Sequence, residues 1–325
     1  MQSAPYHADI AGGPDGGAAH WLTTSDGLRI RVAHWNMTDA KGTVLIFPGR
    51  TEFIEKYGDA AKEFQKRGFA TIAIDWRGQG IADRMTSNRA IGHVGEFSDY
   101  QSDIAAMMAH VAELDLPRPY FLVGHSMGGC IGLRALMNGL DVNAAMFSAP
   151  MWGMDMSLHL RPFAWGLSTL SVALGFDEKI APGQMEEGYV LREDFAANTL
   201  TNDPEVWAML GRQLKAQPDL GLGGPSLRWL NKSLHETRTL SKLPSPATPC
   251  LTFLGTDEEI VDPQRIKDRM NAWPNGTLRV IQGGKHEMLM DLPDLRKQVF
   301  DETAAFFDTH IAYVAIRTHF KDRLP

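Results

Sequence analysis

Cysteine is almost absent: Cys130 and Cys250 are the only two in 325 residues. A disulfide framework is therefore excluded, and buried free thiols are expected. Basic charge is also short, with 32 Lys and Arg against 39 Asp and Glu, a net charge of −7. With no long basic run, nucleic acid is not an expected partner. The eleven histidines show no metal-ligand spacing, so no metal site is expected. The longest mostly apolar stretch, residues 163–176, is too short to span a bilayer. Residues 1–17 lack a basic head and an apolar core, so they read as a flexible arm and not as a secretion signal. These absences together lead to an expected cytoplasmic location, with peripheral contact at the inner face of a membrane left open. No internal repeat or low-complexity tract occurs.

What is present is an ordinary globular composition, 44% apolar and 22% charged, long enough for one large core plus an insertion. Residues 28–35 alternate apolar and polar, as an edge strand would. Continuous apolar runs follow at 43–47, 70–74, 120–123, 144–147, 250–254 and 278–281. Such runs suit strands covered on both faces of a parallel sheet. Helical patterns separate them at 57–67, 100–114, 127–138, 263–271 and 295–310. The alternation predicts a doubly wound, mostly parallel α/β sheet with its site beyond the carboxyl ends of the strands. It breaks between about Pro150 and Pro249, a Met-, Trp-, Gly- and Pro-rich stretch with helical pieces. The expected organisation is a core of residues 18–149 and 247–325, interrupted by a mostly helical cap of residues 150–246. Residues 244–249 form a proline-stiffened return.

The most informative motif is Gly124-His125-Ser126-Met127-Gly128-Gly129. It stands between an apolar run and a small-residue helix, the context of a nucleophile elbow. A serine hydroxyl needs an imidazole to take its proton and a carboxylate to orient that imidazole. Beyond the cap the histidines are His286, His310 and His319, and only His286 follows a strand end directly, in Gly283-Gly284-Lys285-His286-Glu287. His286 is the predicted base. The acid belongs in the loop after Leu254, where Asp257, Glu258, Glu259 and Asp262 compete. The register, three residues past Gly255 and three before Val261, favours Glu258, with Asp257 and then Asp262 as rivals and Glu259 facing solvent. The oxyanion donors are expected to be the backbone N–H groups of Met127, at a helix N-terminus, and of Arg50, in the Pro48-Gly49-Arg50 turn. The Arg50 side chain could equally meet a substrate head group. Asp75-Trp76-Arg77-Gly78-Gln79-Gly80 reads as a glycine-supported turn, because Asp83 stands where a dinucleotide fingerprint needs its third glycine. His93 reads as a satisfied loop histidine, and His125 as packed beneath the elbow.

With these residues placed, the chain resembles the serine α/β-hydrolase superfamily, and within it the bacterial lysophospholipase and monoacylglycerol lipase branch. The resemblance covers about residues 25 to 310. It rests on Pro48-Gly49-Arg50-Thr51-Glu52 with Tyr57, on the Asp75 to Gly80 turn, and on Gly92-His93-Val94. Phe97-Ser98-Asp99-Tyr100, the serine motif, Ala149-Pro150-Met151, Gly223-Gly224-Pro225 and His286-Glu287 complete it. It implies the α/β-hydrolase fold, Ser126 as nucleophile, His286 as base, Met127 and Arg50 as oxyanion donors, a small lipid ester as substrate and no cofactor. Where the lipase relatives usually carry His-Gly, this chain has Pro-Gly-Arg, which tilts the implication toward lysophospholipases. Glu258 departs from the usual Asp. Met151, Trp152 and Met154 at the start of the cap are expected to line an adaptable groove for an acyl chain, or to form the cap's own core. Related readings are a monoacylglycerol lipase, a general carboxylesterase or thioesterase, and a non-catalytic binder of small apolar ligands. The oligomeric state is not legible.

Overall fold

The structure is a computed structural model that describes residues 1–157 and 159–311. His319 lies outside the described residues.

Nine strands form one sheet. In chain order they are β1 (Gln2–Ser3), β2 (Ala18–Thr23), β3 (Arg29–Trp35), β4 (Thr43–Phe47), β5 (Ala70–Asp75), β6 (Tyr120–His125), β7 (Ala144–Ser148), β8 (Cys250–Gly255) and β9 (Gly276–Ile281). Their spatial order is β1-β2-β3-β5-β4-β6-β7-β8-β9. Pairing is antiparallel from β1 to β5 and parallel from there to β9. Strands β4, β5, β6, β7 and β8 are buried at every position. That is why they read as continuous apolar runs and not as alternation. The helices are α1 (Ala8–Ala11), α2 (Gly58–Lys66), α3 (Tyr100–Glu113), α4 (Met127–Met137), α5 (Leu160–Leu174), α6 (Tyr189–Arg192), α7 (Pro204–Ala216), α8 (Leu227–Leu240), α9 (Pro263–Asn271) and α10 (Pro293–Asp308).

The fold class agrees with the sequence reading, and two local expectations do not. Strand β3 is not an edge, because β2 and β5 flank it. Its inward charge, Arg31, pairs with Asp75 and Glu55 inside the core. That pairing lets a charged residue occupy a covered strand and mimic exposed alternation. Residues 1–17, read as a flexible arm, carry β1 and α1 and pack on the core. Pro5 O accepts from Arg31 Nη1 at 2.9 Å, and Tyr6 Oη accepts from Trp35 Nε1 at 3.0 Å.

β4 sits between β5 and β6, so the chain crosses to one side and then to the other around it. Loops diverge at such a reversal and leave a crevice above the sheet. The turn after β4 and the turn after β6 face each other there. Between β7 and β8 the chain builds α5, α6, α7 and α8, with α5 packed along α8. Asp203 caps α7 by accepting from Glu205 N, with Pro204 at the first helical position. Ser226 caps α8 by accepting from Trp229 N.

Candidate active site

β6 passes into α4 through one residue, Ser126, with φ 49° and ψ −118°. A non-glycine residue held there costs about 1–3 kcal/mol, which the surroundings must offset. They do so by close approach. A Cβ on Gly128 would overlap the Phe47 carbonyl, and one on Gly124 would lie 2.9 Å from the Phe147 ring. Only glycine lets β6 and α4 converge at this angle. Ser126 is 9% exposed and lies at the floor of a cavity of about 290 Å³.

His286 lines the same cavity. Its loop leaves β9, and Gly255 at the end of β8 leaves room for the Gly284 carbonyl. Asp257 N donates to Gly284 O at 3.0 Å and Gly283 N to Thr256 Oγ1 at 2.8 Å, locking the two loops together. The result sets His286 Nδ1 2.8 Å from Glu258 Oε2. The other oxygen, Oε1, accepts from Ile260 N at 2.7 Å and Val261 N at 3.0 Å. Burial pushes the Glu258 carboxyl up, but His286 and these two N–H groups outweigh it and hold it below its ordinary value. The rival acids lie elsewhere. Asp257 is exposed and accepts from Thr256 Oγ1. Asp262 caps α9 and pairs with Arg161. Glu259 is exposed. His310 packs at the end of α10, its Nδ1 2.8 Å from Phe306 O.

Opposite Ser126 stands the turn after β4. A Cβ on Gly49 would lie 3.1 Å from Ser126 Cβ, so the turn touches the elbow. Gln79 clamps it from below: Nε2 donates to Gly49 O and Oε1 accepts from Thr51 N, both at 3.0 Å. Trp76 Nε1 donates to Pro48 O at 2.9 Å. The Asp75 to Gly80 turn is thus a brace for the loop that carries Arg50. The Arg50 guanidinium donates to Gly223 O at 2.8 Å and lies 5.6 Å above the Trp229 ring. Burial lowers it to about 10. Met127 is the first residue of α4, where the N–H groups have no acceptor within the helix.

Under the elbow lies a charged cluster to which the sequence reading assigned no role. Lys56 Nζ bonds Glu52 and Glu287, Tyr57 Oη donates to Glu52 Oε2 at 2.6 Å, and Glu52 also accepts from Gly49 N. His125 Nε2 lies 3.4 Å from Glu287 Oε2 and 3.6 Å from Glu52 Oε1. All five side chains are buried. Burial disfavours the His125 cation, but Glu287 and Glu52 outweigh it and raise its pKa. Burial likewise pushes Glu287 up, while Lys56 and His125 hold it well below its ordinary value. The cluster joins the turn after β4, the elbow and the His286 loop in one network. Its signal in the sequence was Glu52 and Lys56 within Thr51-Glu52-Phe53-Ile54-Glu55-Lys56-Tyr57, a run with enough apolar residues to be buried.

The cavity wall differs from the expected one. Met151, Trp152 and Met154 do not line it. Met151 is buried at the elbow, where its N–H donates to Ser126 O at 2.8 Å. Trp152 stacks on Trp273 and donates to Gly129 O at 3.1 Å. Met154, with Trp152, borders a separate pocket between α5, α8 and α9. The chain hugs the core for several residues past β7 before the cap departs, so the wall comes from later segments. Tyr189, Val190, Leu200, Leu210, Leu214 and Leu222 supply its apolar side. Residues of the inserted segment also hold the His286 loop: Lys285 Nζ donates to Asn198 O and Glu287 N to Leu200 O, both at 2.8 Å. His93 lies at the seam beside the cap, its Nδ1 2.9 Å from Ser226 Oγ.

Known proteins resemble this chain in sequence and in fold. The family model Hydrolase_4, serine aminopeptidase S33, matches residues 38–293. Lysophospholipase L2 of Escherichia coli K12 is 28% identical over 305 residues, covering 89% of this chain and 87% of the relative. Monoacylglycerol lipase of Mycolicibacterium smegmatis is 25% identical, covering 90% and 97%. A soluble variant of monoglyceride lipase from Saccharomyces cerevisiae, solved with a substrate analog, superposes with a TM-score of 0.69 at 18% identity, covering 89% of this chain and 94% of its own. A thermostable carboxyl esterase from Bacillus coagulans gives 0.72 at 15%, covering 92% and 100%.

Proposed function

The chain belongs to the Hydrolase_4 family of α/β-hydrolases, and from that premise we propose that it releases a fatty acid from a lysophospholipid through an acyl-enzyme. The observation that carries this reading is that His286, bonded to Glu258, lines the same cavity as Ser126, a cavity with an apolar side. The acyl chain lies along Val190, Leu200, Leu210 and Leu214, with the ester carbonyl at the N–H groups of Met127 and Arg50. Ser126 Oγ attacks, His286 Nε2 takes its proton, and Glu258 holds the imidazole by Nδ1. The glycerol-type alcohol leaves with that proton. Water, deprotonated in turn by His286, then frees the fatty acid and restores Ser126. Every step uses groups of this chain, and no cofactor is called for.

The names of relatives support a lipid ester over other acyl substrates. The cap adds a lipid-facing surface. Among the described residues no helix is long and apolar enough to cross a membrane. Yet α5 exposes Leu160, Phe163, Leu170 and Leu174, spaced three, seven and four apart and so on one face. We read this as peripheral contact with the surface that holds the substrate.

The test runs lysophosphatidylcholine, monoacylglycerol, a soluble acetyl ester and an aminoacyl anilide in parallel, with Ser126→Ala beside the parent. The expected result is preference for the lysophospholipid, fluorophosphonate labelling of the parent alone, and a loss of roughly 10⁴- to 10⁶-fold in kcat for the variant. Preference for monoacylglycerol moves the assignment to that lipase. Preference for the acetyl ester or the anilide removes the lipid reading, and near-normal turnover by the variant removes the mechanism.

A further inference from the structure

Three imidazoles meet at the antiparallel side of the sheet. His20 on β2 and His34 on β3 are diagonal neighbours, since His20 pairs with Val32 and Ala18 with His34, and alternate positions on a strand share a face. The last turn of α3 brings His110 onto them. Ring centroids are 4.9 Å apart for His20 and His110, and 5.3 Å apart for His20 and His34. One ring nitrogen of each lies within 4.8 Å of the other two. None of the three lines the cavity that holds Ser126.

We infer that His20, His34 and His110 bind one transition-metal dication of the zinc class, which pins the β2–β3 hairpin to α3.

Three observations support this site. First, His110 Nδ1 lies 3.2 Å from Glu113 Oε2. A proton on Nδ1 bonded to that carboxylate leaves the Nε2 lone pair free to ligate, the arrangement by which ligating histidines are usually oriented. Second, His110 Nε2 lies 3.3 Å from His20 Nδ1. Zinc–nitrogen bonds of about 2.0–2.1 Å at a tetrahedral angle place two ligand nitrogens about 3.3 Å apart. The third nitrogen comes from as far as 4.8 Å, and rotation of an imidazole about its Cβ–Cγ bond can close that gap. Third, His34 Nδ1 is buried with no hydrogen-bond partner among the described residues, although buried polar atoms are normally paired.

The chemistry of the donors selects the ion. Three nitrogens with the carboxylate held behind one of them suit Zn²⁺, Ni²⁺, Cu²⁺ or Co²⁺, and not the oxygen-seeking Mg²⁺ or Ca²⁺. His20 and His34 are only part-buried, which leaves a fourth position open to water. The second convergent set, Glu52, His125 and Glu287, already holds a cation, the ammonium of Lys56.

The experiment titrates Zn²⁺ into tag-free, chelator-stripped full-length protein by calorimetry, and repeats the titration with Co²⁺ followed by visible absorption. His34→Asn, His20→Gln and Glu113→Gln are run beside the parent. The parent should bind one Zn²⁺ and show cobalt d–d bands. His34→Asn and His20→Gln should each lose at least 100-fold in affinity, and Glu113→Gln roughly 10- to 100-fold. Zinc should raise the melting temperature of the parent and not of His34→Asn, with turnover of a soluble ester unchanged. Circular dichroism of the metal-free variants checks folding, and His20→Gln, at a part-buried position, serves if His34→Asn does not fold. Equal zinc affinity in the parent and in a folded variant overturns the proposal, as does a parent that binds no zinc. Because the calorimetric readout does not use turnover, it stands apart from the hydrolase reading.

Discussion

At the scale of single residues the acid loop gives the sharpest discrimination. Glu258 spends one oxygen on two backbone N–H groups and the other on His286. A glutamine there keeps the size but offers an amide where the imidazole needs a carboxylate. Glu258→Gln should lower kcat by roughly 10³- to 10⁴-fold with little change in KM, since the imidazole loses the partner that fixes its tautomer. Asp257→Asn, on an exposed side chain bonded only to its neighbour, should stay within about twofold. Steady-state kinetics on a soluble ester separates the two. The same carboxylate predicts an acid limb in stability. Its folded pKa lies below the ordinary 4.5, so the unfolded chain binds the proton first. The stability it confers is whole above that ordinary value and is lost as pH falls through the folded one. Denaturant midpoints measured from about pH 6 down to about pH 3 should fall more steeply for the parent than for Glu258→Gln.

Among elements, the cluster of Glu52, Lys56, Tyr57, His125 and Glu287 ties three loops from three strands. Its worth is read by breaking it. Lys56→Met leaves two buried carboxylates facing each other and should cost about 3–5 kcal/mol in urea unfolding. Adding Glu287→Gln removes one of them, so the double variant should be more stable than the sum of the single losses predicts. Strict additivity would mean that the cluster is a set of independent contacts. The cluster also marks a limit of sequence reading. The strands, the elbow and the Glu258–His286 register were legible because each is local: an apolar run, a glycine pair, a count of three from Gly255. Lys56 and Glu287 stand far apart in the chain, and nothing local says that one neutralises the other. His20, His34 and His110 were missed for the same reason, since ligand spacing is visible only when ligands share a segment. The role of Met151 and Trp152 stayed open between groove and core because both are apolar enough for either. What settles the matter is the stacking of Trp152 on Trp273, a contact between distant segments.

For the molecule as a whole, the unusual feature is the orientation of α5. Its buried positions are Ser168 and Ser171, bonded within the cap, with Asn231 Nδ2 3.3 Å from Ser168 Oγ. Its outer face carries Leu160, Phe163, Leu170 and Leu174, of which Phe163 is 61% exposed. A helix in contact with water alone places its apolar stripe inward; this one turns a second apolar stripe outward and belongs to the inserted segment that walls the cavity. In the proposed reading, a lipid surface completes it. Fully burying a Leu or Phe side chain is worth about 1.5–3 kcal/mol, so sinking two half-exposed ones partway contributes enough for about tenfold in binding. Phe163→Ser combined with Leu170→Ser should therefore reduce co-sedimentation with phosphatidylcholine vesicles, and the rate on vesicle-borne lysophospholipid, by about tenfold each. The rate on a soluble short-chain ester should not move, because neither residue lines the cavity. A parallel fall on both substrates would instead place the effect in the cap's own folding, and an unchanged vesicle rate would leave the stripe without a lipid partner.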